Sequence, residues 1–317
     1  MKRALLLVAF AAAACSKPTP PPPSEPAPSA AAAPAAAAPK PFAPPERDAI
    51  PEGPFGESVK RGYAIFHDTP TNAARYAGNG LSCKNCHLDD GRKENSTPMW
   101  AAWAMYPQFR KKNGHVNTLD ERLRGCFTFS MNAPASEARS APPPNDPILV
   151  DLQAYMFWLA KGVPVGEKVP GRGYPEVKKP SGGFSAERGA KVYAEQCALC
   201  HGDDGQGTKL ASGAYAFPPL WGADSFNWGA GMHRINTAAA FIKANMPLSK
   251  PSSLTDQEAW DVAAYVDSKP RPADPRMKKG VAAADEEFHQ EECAFGEERD
   301  GRTLGEGVRP EKQASAK

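Results

Sequence analysis

The chain has 317 residues, of which 34 are proline and 7 cysteine, and it carries 38 Lys and Arg against 36 Asp and Glu. A net charge of +2 argues against a dedicated nucleic-acid binder, which needs a strongly basic face. Beyond the first residues, no apolar run has the length of a membrane span.

The chain opens on Lys2 and Arg3, an apolar run and a stretch of alanines that ends at Cys15. Charged and then apolar is the order of a secretory signal. The small residue before Cys15 marks residues 1–15 as a lipoprotein signal, although Ala12 stands where leucine is usual. Plain cleavage within the alanines is the alternative. Residues 16–54 are nearly all Pro, Ala and Ser, too poor in apolar surface to fold and kept extended by proline. They read as a tether behind a lipid on Cys15, with the protein anchored to a membrane in the periplasm or at the cell surface. Residues 273–317 are charged, hold few large apolar side chains, and read as a disordered tail. Two small domains remain, 55–166 and 184–272, joined by a Gly-, Pro- and Lys-rich linker at 167–183.

The two domains repeat one plan. In the first, Arg61-Gly62-Tyr63 precedes Cys83-Lys84-Asn85-Cys86-His87, a long loop follows, and Leu152 to Leu159 closes the unit. In the second, Arg188-Gly189 precedes Cys197-Ala198-Leu199-Cys200-His201, and the closing segment begins at Trp260. Asp146 before Pro147 predicts one helix start, and Thr255 with Glu258 predicts a capping box at the other. Each half therefore reads helix, motif, loop, helix, and the fold class is all-α.

A Cys-x-x-Cys-His run attaches haem through its two thiols and offers the histidine to one face of the iron. The expectation is two covalently bound haem c groups, on Cys83, Cys86 and His87 and on Cys197, Cys200 and His201. Both domains then resemble small cytochromes c, in which haem fills much of the core. A zinc reading lacks the second Cys or His pair it would need. On the far side of the second iron, Met246 precedes Pro247 shortly before the closing helix, where small cytochromes place their methionine. Met232 and His233 are its competitors. The first half has no such Met-Pro pair. Met99 follows His87 too closely to serve, Met131 and His115 are candidates there, and Cys126 stands much where Met246 stands in the other half. A thiolate on that iron, a buried free cysteine and a disulfide with Cys293 all remain open.

These residues, with Tyr106-Pro107, Val116-Asn117-Thr118-Leu119, Arg122, Cys126-Phe127, Ser130-Met131-Asn132, Phe217-Pro218-Pro219-Leu220-Trp221-Gly222 and Ala244-Asn245-Met246-Pro247, resemble the tetrathionate-forming thiosulfate dehydrogenases. The resemblance runs over about residues 56 to 272. It implies that Cys126 is the distal ligand of the first haem, where substrate acts, and that Met246 is the distal ligand of the second. It also implies that Arg122 and Ser130 line the substrate pocket, with Lys112 near a position for a basic residue. Asn245 stands where some members have a lysine that exchanges with the methionine, so no such exchange is expected. Thr128-Phe129 and Ala133 depart from the family pattern around the pocket.

The implied reaction joins two thiosulfate ions as tetrathionate and releases two electrons to an electron-acceptor cytochrome or similar redox partner; tetrathionate reduction is the same chemistry reversed. Two dianions need a positive pocket, and Arg110, Lys111, Lys112 and Arg122 are the nearby supply. Arg122 lies four residues before Cys126, on the same face of a helix. A dihaem electron carrier without a substrate, a cytochrome that conjugates sulfur to a carrier protein, and a dihaem peroxidase are the competing readings.

Overall fold

The computed structural model describes residues 42–290 and 292–309. The signal, Cys15 and most of the tether lie outside them. All described residues belong to one compact unit, Pro39–Lys317.

The first domain runs through α1 (Gly53–His67), the short α2 (Thr69–Asn72) and α3 (Leu88–Gly91), then α4 (Met99–Met105). The hairpin β1 (Gln108–Arg110) and β2 (His115–Asn117) follows, with α5 (Leu119–Phe129) and α6 (Pro147–Leu159). Its core gathers Val59, Phe66, Trp100, Phe127, Leu152, Tyr155 and Leu159, all buried. The second domain has α7 (Ala186–Gln196), α8 (Ala198–His201), the strands β3 (Thr208–Lys209) and β4 (Tyr215–Phe217), then α9 (Ile235–Asn245) and α10 (Asp256–Asp267). The expected caps are present: Asp146 accepts from the Ile148 N–H at 2.9 Å, and Thr255 and Glu258 form a capping box.

The repeat is visible in how the outer helices meet. Arg61 of α1 holds Asp151 of α6 by two bonds of 2.8 Å, and Arg188 of α7 holds Asp261 of α10 at 2.7 and 2.8 Å. The next residue in each case is glycine. A Cβ on Gly62 would stand 2.0 Å from the Asp151 carbonyl oxygen, and one on Gly189 would stand 1.9 Å from that of Asp261. The absent side chain lets the two helices touch backbone to backbone.

Three expectations need correction. The fold is helix-rich but not all-α: among the described residues three small two-stranded antiparallel sheets are present, β1–β2, β3–β4 and a third in the carboxy-terminal segment. In the first, Phe109 pairs with Val116 around Asn113-Gly114, and Gly114 adopts φ +73°, a hairpin geometry glycine permits. Second, the last part of the tether packs on the first domain. Phe42 meets Trp100 with ring centroids 5.1 Å apart, Arg92 donates to the Pro45 carbonyl at 2.6 Å, and Trp158 donates to that of Ala49 at 3.3 Å. Third, residues 273–290 and 292–309 are folded, with α11 (Val281–Phe288) and the hairpin β5 (Glu298–Arg299) and β6 (Arg302–Thr303). Ala284, Ala294, Phe295 and Leu304 bury themselves around Trp228 of the second domain. The tail is poor in apolar residues, but its few complete a core that begins elsewhere in the chain.

The loop Asp224–Gly229 fastens the two domains together. Asp224 accepts from the Gly80 N–H at 2.8 Å, Asn79 donates to the Ser225 carbonyl at 3.1 Å, and Asn227 donates to the Thr128 carbonyl at 2.9 Å. No helix among the described residues is long and apolar enough to cross a membrane.

Candidate functional site

Both Cys-x-x-Cys-His motifs are arranged to hold haem c. Their cysteines are half-buried. His87 gives its Nδ1 proton to the Thr97 carbonyl at 2.8 Å, and His201 gives its own to the Pro218 carbonyl at 2.9 Å. A carbonyl partner fixes the tautomer and leaves each Nε2 lone pair for a metal. Burial lowers the pKa of both rings, that of His87 to about 4, so the ligating nitrogen is not lost to a proton.

Helix α5 presents Cys126 toward the first motif. Thr118 caps this helix by accepting from the Glu121 N–H. One turn before Cys126, Arg122 turns back and donates from Nη1 to the Cys126 sulfur at 3.2 Å. The nearby thiol is the largest influence on Arg122 and raises its pKa. The Tyr106 hydroxyl accepts from Arg122, and also from Arg110 Nη1 at 3.2 Å. Lys112 is exposed along its stem, but its ammonium turns inward. It donates to the Gly229 carbonyl at 2.6 Å and lies 4.0 Å over the Phe129 ring. Desolvation there, and then the charges of Arg276 and Arg122, lower its pKa to about 7. The surroundings of Cys126 are therefore basic, supplied by Arg110 of β1, Lys112 of the β1–β2 turn and Arg122 of α5.

The remaining predicted residues have definite places. Ser130 ends α5, its N–H bonded to the Cys126 carbonyl at 2.8 Å and its carbonyl accepting from Asn79 at 2.8 Å. Lys111 is exposed in the hairpin turn. His115 is on the exposed hairpin, bonded to Glu121 at 2.7 Å, and Met99 and Met131 are buried in the first core. Cys126 and Cys293 are both free, and Cys293 donates instead to the His289 carbonyl at 3.2 Å, which removes the disulfide reading. In the second domain Met246 lies at the end of α9, its N–H bonded to the Ile242 carbonyl at 2.8 Å. Asn245 beside it is buried and donates to the Asn95 carbonyl of the first domain at 3.0 Å. Met232 is engaged elsewhere: the Tyr174 hydroxyl donates to its sulfur at 3.8 Å.

Tyr174 and Thr97 were missed from the sequence. Thr97 Oγ1 lies 2.9 Å from His87 Nδ1 and 3.3 Å from the Tyr174 hydroxyl, so a linker residue reaches the back of the first motif. Arg276, from the segment read as tail, was missed for the same reason: nothing local in sequence ties either to the site.

Two motif-bearing domains of this kind define a c-type cytochrome oxidoreductase. A family model described as SoxA/TsdA, cytochrome c domain, matches residues 73–165, and one described as cytochrome C oxidase, cbb3-type, subunit III, matches residues 184–266. The chain is 54% identical to thiosulfate dehydrogenase of Stutzerimonas stutzeri, over 84% of this chain and 86% of that protein. It is 47% identical to that of Thiomonas intermedia, over 94% of this chain and 91% of that protein. The solved structure of thiosulfate dehydrogenase (TsdBA) from Marichromatium purpuratum matches with a TM-score of 0.83 at 50% identity, covering 86% of this chain but 59% of that one. This chain belongs to the thiosulfate dehydrogenase family.

Proposed function

We propose that the protein oxidises two thiosulfate ions to tetrathionate in the basic pocket beside Cys126. The observation that carries this reading is the Arg122 guanidinium 3.2 Å from the Cys126 sulfur, with Lys112, Arg110 and Tyr106 around it. Haem c, one at each motif, supplies one-electron redox centres matched to a two-electron reaction. His87 and His201 would ligate the irons, and the family resemblance implies that Cys126 and Met246 would be their second protein ligands.

The protein's own groups do the rest. Arg122 and Lys112 lower the repulsion between two approaching dianions, and Arg122 can grip a pair of sulfonate oxygens with its fork of donors. Arg122 also orients the Cys126 sulfur by direct hydrogen bonding. The Cys126 sulfur, reacting as thiolate, bonds to the sulfane sulfur of a first thiosulfate with loss of two electrons, giving a cysteine S-thiosulfonate. The sulfane sulfur of a second thiosulfate then attacks the outer sulfur of that bond. Tetrathionate leaves and the thiolate is restored, so atoms and charge balance. Run in reverse, the same steps reduce tetrathionate. The electrons pass to an external acceptor cytochrome. The signal, the lipid on Cys15 and a periplasmic or surface location belong to this reading and lie outside the described residues.

The test is turnover of thiosulfate by the purified protein with ferricyanide as acceptor, with tetrathionate measured as product. Cys126→Gly should keep its attached haem and lose turnover. A variant that turns over normally removes Cys126 from the mechanism, and a wild type without turnover reduces the protein to an electron carrier.

A further inference from the structure

We infer that His233, His289 and Cys293 form a separate, non-haem metal site for one late first-row transition-metal ion, zinc or copper, because two buried imidazoles turn their remaining nitrogens toward each other beside a thiol. The ligand atoms of the three residues all lie within 4.8 Å of one another, and His289 Nδ1 is 3.1 Å from His233 Nε2. Both histidines are buried.

The protons decide what belongs between them. His233 Nδ1 faces the Ala230 carbonyl, and His289 Nε2 faces the Asp274 carboxylate at 3.1 Å. Arg276, 2.5 Å from the same carboxylate, holds it ionised. Both partners are pure acceptors, so each ring must spend its N–H on them. Two neutral rings then point lone pairs at each other across 3.1 Å. Such an arrangement needs a positive charge, either an added proton or a metal ion. The Cys293 sulfur favours the metal, since an imidazolium has no use for a thiol.

The surroundings are those of a metal site. Two nitrogens on one tetrahedral zinc stand roughly 3.3 Å apart when each bond is about 2.0–2.1 Å. A carboxylate and a carbonyl orienting the far nitrogens are the usual outer partners of metal-bound imidazole. Two imidazoles and a thiolate suit zinc and copper better than the hard cations. On binding, Cys293 gives its proton to solvent and its thiolate to the ion. None of the three residues is hydrogen-bonded to either haem motif, so the site would be additional to the haem irons. It would clamp the segment that follows α11 onto the loop whose Gly229 carbonyl receives Lys112.

The experiment uses the full-length holoprotein, stripped with a chelator and dialysed against micromolar zinc in one arm and copper in the other. Metal retained per chain is counted by mass spectrometry, and X-ray absorption is recorded at the zinc or copper edge, which haem iron does not obscure. One ion per chain is expected in at least one arm, with a sulfur neighbour at about 2.3 Å and nitrogen at about 2.0 Å. Cys293→Ser and His233→Gln should each weaken retention roughly tenfold or more while haem spectra stay unchanged. Retention of less than about a tenth of an ion per chain in both arms leaves a proton between the rings and overturns the proposal. So does retention that neither substitution changes. Should Cys293→Ser fail to fold, the wild-type spectrum alone decides, and absence of sulfur scattering overturns the site.

Discussion

Arg122 is the residue on which the pocket turns, because it touches both the sulfur of Cys126 and the hydroxyl of Tyr106. Replacing it with glutamine should leave both haem spectra in place and lower kcat/KM for thiosulfate. Losing a charge-assisted bond in a partly desolvated pocket costs roughly 1.5–3 kcal/mol, which is about ten- to a hundredfold. Arg122→Lys should recover only part of this, since a point charge lacks the two-pronged geometry. The defect should persist at high salt if the contact is inside the pocket, and shrink if Arg122 only steers substrate from solvent. Lys112 adds a pH dependence. Burial and the neighbouring arginines lower its pKa to about 7, so its charge is present below that pH and lost as pH rises through it. The thiosulfate KM should therefore climb from about pH 6 to about pH 9, and Lys112→Arg, charged throughout, should flatten the climb. A KM that climbs equally in Lys112→Arg would put the titrating group elsewhere.

At the scale of elements, the repeat was legible and so were its caps, because Asp146-Pro147 and Thr255 with Glu258 act within one turn of chain. The motifs were legible because their chemistry needs five adjacent residues. What the glycines do was not, since Gly62 and Gly189 matter only through helices that arrive some seventy or more residues later. Gly189→Ala would force α7 away from α10, with overpacking that costs roughly 1–3 kcal/mol. A lowered melting temperature should report it, and Gly182→Ala, which faces open space, should melt as wild type does. Equal melting of the two variants would mean that the helices part at no cost. Tyr174 and Arg276 escaped the sequence reading for the same reason as the glycines: each acts on a site whose other members lie far away in the chain.

At the scale of the whole molecule, the carboxy-terminal segment shares a core with the second cytochrome domain, and Phe226 of the second domain packs against the core of the first. Composition predicted a tail without structure because it counted apolar residues per segment. Trp228 shows why that count misleads, since its burial is completed by residues 284 to 304. The Asp224–Gly229 loop has a further consequence. Its bonds to Gly80, Asn79 and Thr128 join the halves independently of the peptide chain between them. The connecting peptide is thus redundant as a mechanical link: a protein cut once at a protease site placed at Ser181-Gly182, an exposed stretch, should still migrate as one particle on gel filtration and separate only in denaturant. In that sense the chain is already a two-piece machine that happens to be synthesised as a single thread, and the same halves encoded as separate polypeptides should find each other and work.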